Sequence, residues 1–410
     1  MVSTSTDAPS PPGGQNTLLT GEGYGDPMGM LIAAIAVVAS LAPSTAPAAQ
    51  RVPASARVTP QTLYTSPKGT IQAFAQDGPL LAWFAPGTKS CNTVWVLSLD
   101  NGGRIRMPDQ TSTAHNVTCR WDVAPPVNLA LAGSDVLWTL HEKQAPVQFD
   151  YVLGAGISDT RERRFQEVAH ARRGAGLWLG GIAGDSTRTG PNAISTLVYG
   201  TAAVQFVDEI ACLSGGSCEM KLAGGGVYRV VGRKAPALVP NTAPAVAVAV
   251  SGPIVAYVPA ASAGNNGVPL AAADLPVEIV DVRSGDRIAR VSPAGIPVAI
   301  SLGPHVLSML ERTPTGLALS WYSAATGSSL GSVPVPANTV PQLSSGDENA
   351  AFRVGSFIHV LTFATGHSRT VAQTNGAPIG MSLEGNRLAW AENVKGRGRI
   401  RALYLTAKTS

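Results

Sequence analysis

The chain has 410 residues, of which 14% are charged and 45% are hydrophobic. This balance excludes a chain that is disordered throughout, because disorder needs low hydrophobicity and high net charge. The 44 glycines and 31 prolines exclude a helical bundle. A net charge of +4 and 6% aromatic residues are too little for a nucleic-acid-binding protein. We therefore expect a turn-rich β protein with no nucleic acid partner.

The N-terminal region contains an apolar run, MLIAAIAVVASL, at residues 30–41. Its 12 residues are too few for a membrane span, which needs about 20. They fit the core of a secretory signal, and Ala46-Pro47-Ala48 resembles a cleavage pattern, although no Lys or Arg precedes the run. We predict a disordered extension over 1–29, a signal peptide or uncleaved membrane anchor over 30–48, and a secreted or extracytoplasmic domain over 49–410. A cytoplasmic protein is the alternative.

Four cysteines support export. An even number of cysteines in an exported protein is typical of disulfides, and neither CxxC nor Cys/His clusters at metal-ligand spacing occur. Four reduced, partly buried thiols are the alternative. The predicted pairs are Cys91–Cys119 and Cys212–Cys218.

A hairpin pattern recurs along the chain, with an apolar strand, a Gly-centred turn and a second apolar strand. Gly before a polar residue supplies the turn chemistry that antiparallel hairpins need. The recurrences lie at 71–83, 128–140, 246–258, 298–310, 341–354 and 379–391, and residues 176–206 supply one more with an insertion in its turn.

A second pattern follows the first in several units, with an alternating strand, a turn that closes on Gly and another strand. Its clearest instances are at 94–107, 277–291, 319–333 and 358–371. Four strands per unit and a period of about 40–50 residues are typical of a β-propeller. We predict an all-β fold, a seven-bladed β-propeller of four-stranded antiparallel blades, with two β-sandwich domains as the alternative.

The last unit is one strand short. Its third strand is RIRALYLTA at 399–407, and only three residues follow. An open sheet edge invites aggregation, so we predict that a segment near 56–65 donates the missing strand and closes the ring.

These features resemble the superfamily of exported propellers of the TolB and YVTN types. The likeness is carried by the turns SGPIVAY (251–257) and EGNRLAW (384–390) and by the strand pair VEIVDVRSGDRIARV (277–291). It implies a propeller over 56–408 that serves as a binding scaffold more often than as an enzyme. Function does not follow from the fold alone.

The longest predicted loops share one face of the propeller, which we call the loop face. This face carries the second–third loops of the blades and the connections between blades. Long loops on a rigid scaffold often bind ligands. The predicted loops are 85–93, 109–126, 200–225, 259–276 and 392–398.

No contiguous catalytic, metal or cofactor motif is present. The chain lacks HExxH, and we assign no catalytic, metal-binding or cofactor-binding residue. Two basic segments, 161–173 and 395–401, are compatible with an anionic ligand or with an ordinary solvent-facing strand and loop. The residues for a possible anionic ligand are Arg172, Arg173, Lys395 and Arg397.

Two hypotheses about function remain. The first is a monomeric, non-enzymatic scaffold that binds a protein or cell-envelope polymer through the loop face. The second is an exported hydrolase or lyase with its active site on the loop face or at the mouth of the channel. Clustered carboxylates or histidines at the channel mouth would favour the second, because catalytic groups can come from distant blades.

Overall fold

The computed structural model describes fourteen segments of the chain. All structural statements below concern these segments, which are 59–67, 69–86, 92–106, 123–124, 128–133, 135–144, 147–156, 166–172, 176–187, 194–207, 219–231, 235–263, 268–376 and 378–405. Within these ranges, no helix has the length and apolar character needed to cross a membrane.

The described residues form a β-propeller. Antiparallel sheets follow one another along the chain, and the inner strand of each sheet contacts the inner strands of its two neighbours. The last inner strand contacts the first, which closes the ring. A closed ring is incompatible with the alternative of two β-sandwich domains.

Six of the sheets are four-stranded antiparallel blades, which we number I to VI in chain order. Blade I contains β2 (Ala73–Asp77), β3 (Leu80–Pro86), β4 (Asn92–Ser98) and β5 (Arg104–Arg106). Blade II contains β11 (Gly176–Thr187), β12 (Ile194–Phe206), β13 (Met220–Val230) and β14 (Ala237–Leu238). Blade III contains β15 (Ala245–Ser251), β16 (Ile254–Pro259), β19 (Val277–Asp281) and β20 (Arg287–Val291). The short pair β17 (Ser262–Ala263) and β18 (Pro269–Leu270) lies within the β16–β19 connection.

The remaining blades follow the same plan. Blade IV contains β21 (Ile296–Leu302), β22 (Val306–Thr313), β23 (Gly316–Ser323) and β24 (Ser329–Val335). Blade V contains β25 (Thr339–Ser345), β26 (Asn349–Val354), β27 (Phe357–Thr362) and β28 (His367–Gln373). Blade VI contains β29 (Pro378–Glu384), β30 (Arg387–Val394), β31 (Arg397–Tyr404) and β1 (Gln61–Thr65).

The prediction of seven four-stranded blades is wrong, because only six of the sheets formed by the described residues have that form. The sheet between blades I and II has five strands, β6 (Val123–Ala124), β7 (Leu129–Ala132), β8 (Asp135–Gln144), β9 (Val147–Gly156) and β10 (Gln166–Arg172). The reason lies in strand length: β8 has ten residues but β7 has four. The inner edge of β8 beyond β7 is paired by β6, which covers an edge that would otherwise be open.

Blade VI is completed by a strand from the beginning of the described chain. β1 pairs antiparallel with β31, with Gln61 opposite Ala402 and Thr65 opposite Arg399. Tyr64 of this strand packs against Trp83 of blade I, with 4.6 Å between the ring centroids. β1 lies within the segment 56–65 that the sequence indicated, and it joins the two ends of the ring.

Large aromatic residues on second strands fill the space between neighbouring sheets. Trp83 on β3 and Trp390 on β30 are fully buried, and Trp83 packs with Ala389 and Ala391 of blade VI. Full burial of side chains of this size contributes about 2–3 kcal/mol each. Trp178 has a similar sequence context but lies on the first strand β11, so it is not equivalent to the other two.

Glycines allow close contact between neighbouring blades at the third–fourth turns. Gly285 and Gly327 both have φ of +74°, a region that favours glycine. A Cβ atom on Gly327 would lie 2.1 Å from the carbonyl oxygen of Arg290 in blade III. The turn of blade IV therefore packs directly on the backbone of the preceding blade.

A matched pair of glycine substitutions tests this packing. Gly396 has the same φ of +74° but has open space where a Cβ would lie. We expect Gly396→Ala to cost about 1 kcal/mol of unfolding free energy from backbone strain alone. Gly327→Ala should cost roughly 3 kcal/mol, because a backbone clash is added to the same strain. Urea unfolding of both variants measures the difference, and equal losses would show that blades III and IV are not in such close contact.

Candidate functional site at the channel mouth

The inner strands surround a cavity of about 510 Å³ at one end of the central channel. We call this end the channel mouth. It lies on the face of the first–second turns, opposite the loop face. Residues from every inner strand line the cavity, among them Gln76, Asp185, Ser345, Asp347 and Glu384.

Asp77 lies beneath the cavity at the end of β2 and is 1% exposed. Its Oδ2 accepts hydrogen bonds from the backbone N–H of Gly133 at 2.5 Å and from the Ser186 hydroxyl at 2.6 Å. The N–H of Ser186 donates to Oδ1 at 3.3 Å. A buried carboxylate needs such donors. Asp77 thus links blade I to the five-stranded sheet and to blade II.

Asp185 and Glu384 repeat this arrangement and also line the cavity. Asp185 in β11 accepts a hydrogen bond from the N–H of Gly252 in the next blade, at 2.6 Å. Glu384 at the end of β29 accepts one from the N–H of Gly78, where blade VI meets blade I. Each carboxylate therefore reaches a turn glycine of the next sheet around the ring.

These three carboxylates converge. One oxygen atom of Asp77, one of Asp185 and one of Glu384 all lie within 4.8 Å of one another. Burial raises the pKa of Asp185, with a further contribution from the charge of Asp77. Burial and then the charges of Asp185 and Asp77 raise the pKa of Glu384 to about 7. The mouth therefore concentrates negative charge where little water is available to screen it.

Neighbouring groups offset part of this charge, and the charge of Arg387 is among the effects that lower the pKa of Glu384. Arg387 directs its Nε to Gln76 Oε1 at 3.1 Å and its Nη2 to the carbonyl oxygen of Gly78. In the described segments, no ion pair joins Asp185 or Glu384 to a basic side chain. The hydroxyl of Ser345 and the amide nitrogen of Gln76 are buried without a hydrogen-bond partner.

The four predicted disulfide cysteines lie outside the described residues. These are Cys91, Cys119, Cys212 and Cys218. Their pairing stays a prediction, as does the signal peptide or anchor over 30–48, which the structure does not describe either.

The predicted anionic-ligand residues do not come together with the carboxylates. Lys395 and Arg397 are exposed at the β30–β31 turn, on the loop face. Arg172 ends the outer strand β10, and Arg173 lies outside the described residues. Two further arginines of the same basic segment, Arg399 and Arg401, lie 2.8 and 3.7 Å from the buried carboxylate of Glu392.

The loop face differs from its predicted form in blade II. The predicted loop 200–225 is shorter, because β12 continues to Phe206 and β13 begins at Met220. A backbone hydrogen bond from the Val207 N–H to the Glu219 carbonyl closes the base of this loop. In blade III, the β16–β19 connection forms the β17–β18 pair, and β17 contacts β13.

Sequence reasoning missed the carboxylates, although part of the signal was present. When the repeats are aligned on their turn glycines, Asp77 and Glu384 occupy the same position, directly before Gly78 and Gly385. Asp185 lies beside the insertion in the first turn of blade II, where the repeat alignment is lost.

No family model and no curated protein matches the chain. Solved structures with a similar fold include the computationally designed Ika8 protein, which is 10% identical to this chain. Its TM-score is 0.44, and the match covers 84% of this chain and 99% of that one. The β-propeller domain of the Trilobed protease from Pyrococcus furiosus is 8% identical, with a TM-score of 0.45 over 84% and 97%. BamB from Moraxella catarrhalis is 12% identical, with a TM-score of 0.38 over 81% and 85%. Because these scores are low, the propeller assignment rests on the sheet topology described above.

Proposed function

We propose that this protein is an exported binding scaffold of the TolB and YVTN type, and that it binds a protein partner of the cell envelope through the loop face. The observation that carries the proposal is the position of the two long second–third loops. They belong to the consecutive blades II and III, and β17 of one connection contacts β13 beside the other. The described ends of these two loops therefore lie side by side on the loop face.

This surface contains exposed apolar side chains at the base of both loops. Val207 is 49% exposed and Leu270 is 47% exposed. Apolar anchors surrounded by polar loops are typical of protein interfaces. The hydrogen bond that closes the loop at Val207 lowers the ordering cost of binding, since less loop freedom is lost on association.

Export is supported by the apolar run at 30–41 and by the even number of cysteines. A Cys212–Cys218 disulfide would restrict the blade II loop further. Lys395 and Arg397 on the same face would attract an anionic part of the partner, such as an envelope polymer. We expect the protein to act as a monomer.

The carboxylate cluster gives the hydrolase hypothesis a specific observation in its favour. Glu384, with a pKa of about 7, could act as a general acid near neutral pH. The geometry favours ion binding instead, because three carboxylate oxygens converge within 4.8 Å, whereas glycosidases use a pair of carboxyl groups that flank the scissile bond.

Matched substitutions of exposed apolar residues test the loop face. We expect Val207→Ser with Leu270→Ser to weaken capture of an envelope partner at least about tenfold, since interface anchors are worth about 1–2 kcal/mol each. Leu330→Ser is the control, because Leu330 is 52% exposed but lies on the outer strand β24 of blade IV.

Capture is measured with a photo-crosslinker at position 207, at 270 or at 330, followed by affinity measurement on the partner recovered. The proposal requires crosslinks from 207 and 270 but not from 330. Equal crosslinking at all three positions would contradict it. Turnover of ester, glycoside or phosphate substrates that is lost in Glu384→Gln would support the hydrolase.

A further inference from the structure

The carboxylate cluster at the channel mouth has the dimensions of a site for a single cation. Calcium takes carboxylate and other oxygen ligands at 2.3–2.6 Å. Two ligands on opposite sides of one ion can therefore be about 4.8 Å apart, which is the distance within which the oxygens of Asp77, Asp185 and Glu384 lie. Magnesium, with ligands at about 2.0–2.1 Å, would require the oxygens to move closer together.

A second observation, independent of the carboxylates, also indicates a ligand in this cavity. Ser345 and Gln76 line the same cavity, and they are only 7% and 6% exposed. The Ser345 hydroxyl and the Gln76 amide nitrogen have no hydrogen-bond partner. Buried polar atoms are rarely left unpaired. The Ser345 hydroxyl has an oxygen that can bind a cation, whereas the Gln76 amide nitrogen can only donate a hydrogen bond.

The charge balance at the mouth favours a cation. Three carboxylates converge here, whereas Arg387 directs its hydrogen bonds to Gln76 and to the Gly78 carbonyl. Carboxylate oxygens that lie within 4.8 Å of one another repel one another when they are charged. A divalent cation would remove this repulsion. The cavity gives such an ion a path from the mouth to the carboxylates, since Asp185 and Glu384 line it.

We propose that the channel mouth binds one calcium ion through Asp77, Asp185 and Glu384, with the Ser345 hydroxyl as a neutral oxygen available in the same cavity. The hydrogen-bond donors to these carboxylates fix their orientation, as supporting groups do in metal sites. The site connects blades VI, I and II, so the bound ion would reinforce the ring where its ends meet. This function is separate from partner binding on the loop face.

Calorimetric titration of the full-length, chelator-treated protein with CaCl₂ and MgCl₂ tests the proposal. We expect one calcium ion per chain, with tighter binding than magnesium. Asp185→Asn and Glu384→Gln should each raise the calcium Kd at least about tenfold, because ligand charge sets the affinity of such sites, and Ser345→Ala should raise it less. Asp347→Asn is the matched control, since Asp347 lines the same cavity but is exposed and lies outside the cluster.

Circular dichroism checks that each variant is folded, and Glu384→Gln decides the test if Asp185→Asn does not fold. Absence of calcium binding to the wild-type protein at 10 mM, on the order of ten times the weakest dissociation constants of extracellular calcium modules, would overturn the proposal. Unchanged affinity in Glu384→Gln, or binding of magnesium at least as tight as calcium, would overturn it as well. Partner capture is measured separately, so either function can fail without the other.

Discussion

Glu392→Ala is expected to lower the free energy of unfolding by about 3–5 kcal/mol, the range found when one partner of a buried ion pair is removed. The Glu392 side chain is fully buried and accepts from Arg399 at 2.8 Å. It also accepts from the N–H of Asn375, in the connection between blades V and VI, at 3.3 Å. Its loss leaves Arg399 and Arg401, whose side chains are 26% and 18% exposed, without a counter-charge.

The effect should be large because these arginines lie on β31, opposite the closing strand. Arg399 and Arg401 are paired with Thr65 and Thr62 of β1. Guanidinium chloride unfolding measures the loss, and Glu348→Ala is the control, since Glu348 is exposed and should change stability by less than about 0.5 kcal/mol. Similar losses of unfolding free energy in both variants would show that Glu392 does not stabilise the pairing that closes blade VI.

Glu384→Gln is expected to stabilise the metal-free protein at pH 8 by roughly 3 kcal/mol and to have little effect at pH 4. The folded state raises the pKa of Glu384 from its ordinary value of 4.5 to about 7. The protonated acid is therefore favoured in the folded protein, and each pH unit between these values costs about 1.4 kcal/mol of stability. Wild-type stability should fall as the pH rises through this window and then level off.

Urea unfolding of chelator-treated protein between pH 4 and pH 8 measures this dependence. Glutamine keeps an acceptor for the Gly78 N–H but carries no charge. Asp347→Asn again serves as the control and should follow the wild-type curve. A wild-type curve that is flat between pH 4.5 and pH 7 would mean that Glu384 has a pKa near its ordinary value and that the mouth is well solvated.

The propeller could be predicted because its local rules repeat in the sequence. Turn glycines such as Gly252 and Gly385 have positive φ in the structure, as Gly-centred hairpin turns require. Trp83 and Trp390 occupy equivalent buried positions on second strands. Each of these features is set within one repeat, so a single sequence is sufficient to recognise it.

The five-stranded sheet could not be predicted in this way. β6 pairs with β8 only because β8 extends well past β7, and strand length beyond the turn is not specified by the repeat. The segment 109–126 therefore looked like a plain connection. The same limitation made the loop of blade II too long in the prediction, since Val204 and Leu222 pair within the sheet.

The carboxylate site depends on closure of the ring. Asp77 and Glu384 are 307 residues apart in the sequence, and they meet because β29 contacts β2. No local pattern reports such a contact. The long loops of the sequence indicate the loop face as the binding surface, whereas the acidic cluster lies beside short turns on the opposite face.

An acidic mouth that binds calcium is retained at a cost in stability, as is common for functional sites. The most direct test is the unfolding free energy of wild type and Glu384→Gln at pH 8, each with a chelator and with 10 mM calcium. We predict that Glu384→Gln is the more stable protein in chelator, and that calcium stabilises the wild type by several times more than it stabilises the variant. If calcium leaves the wild type unchanged, or stabilises both proteins equally, the mouth is not a calcium site and the claim is wrong.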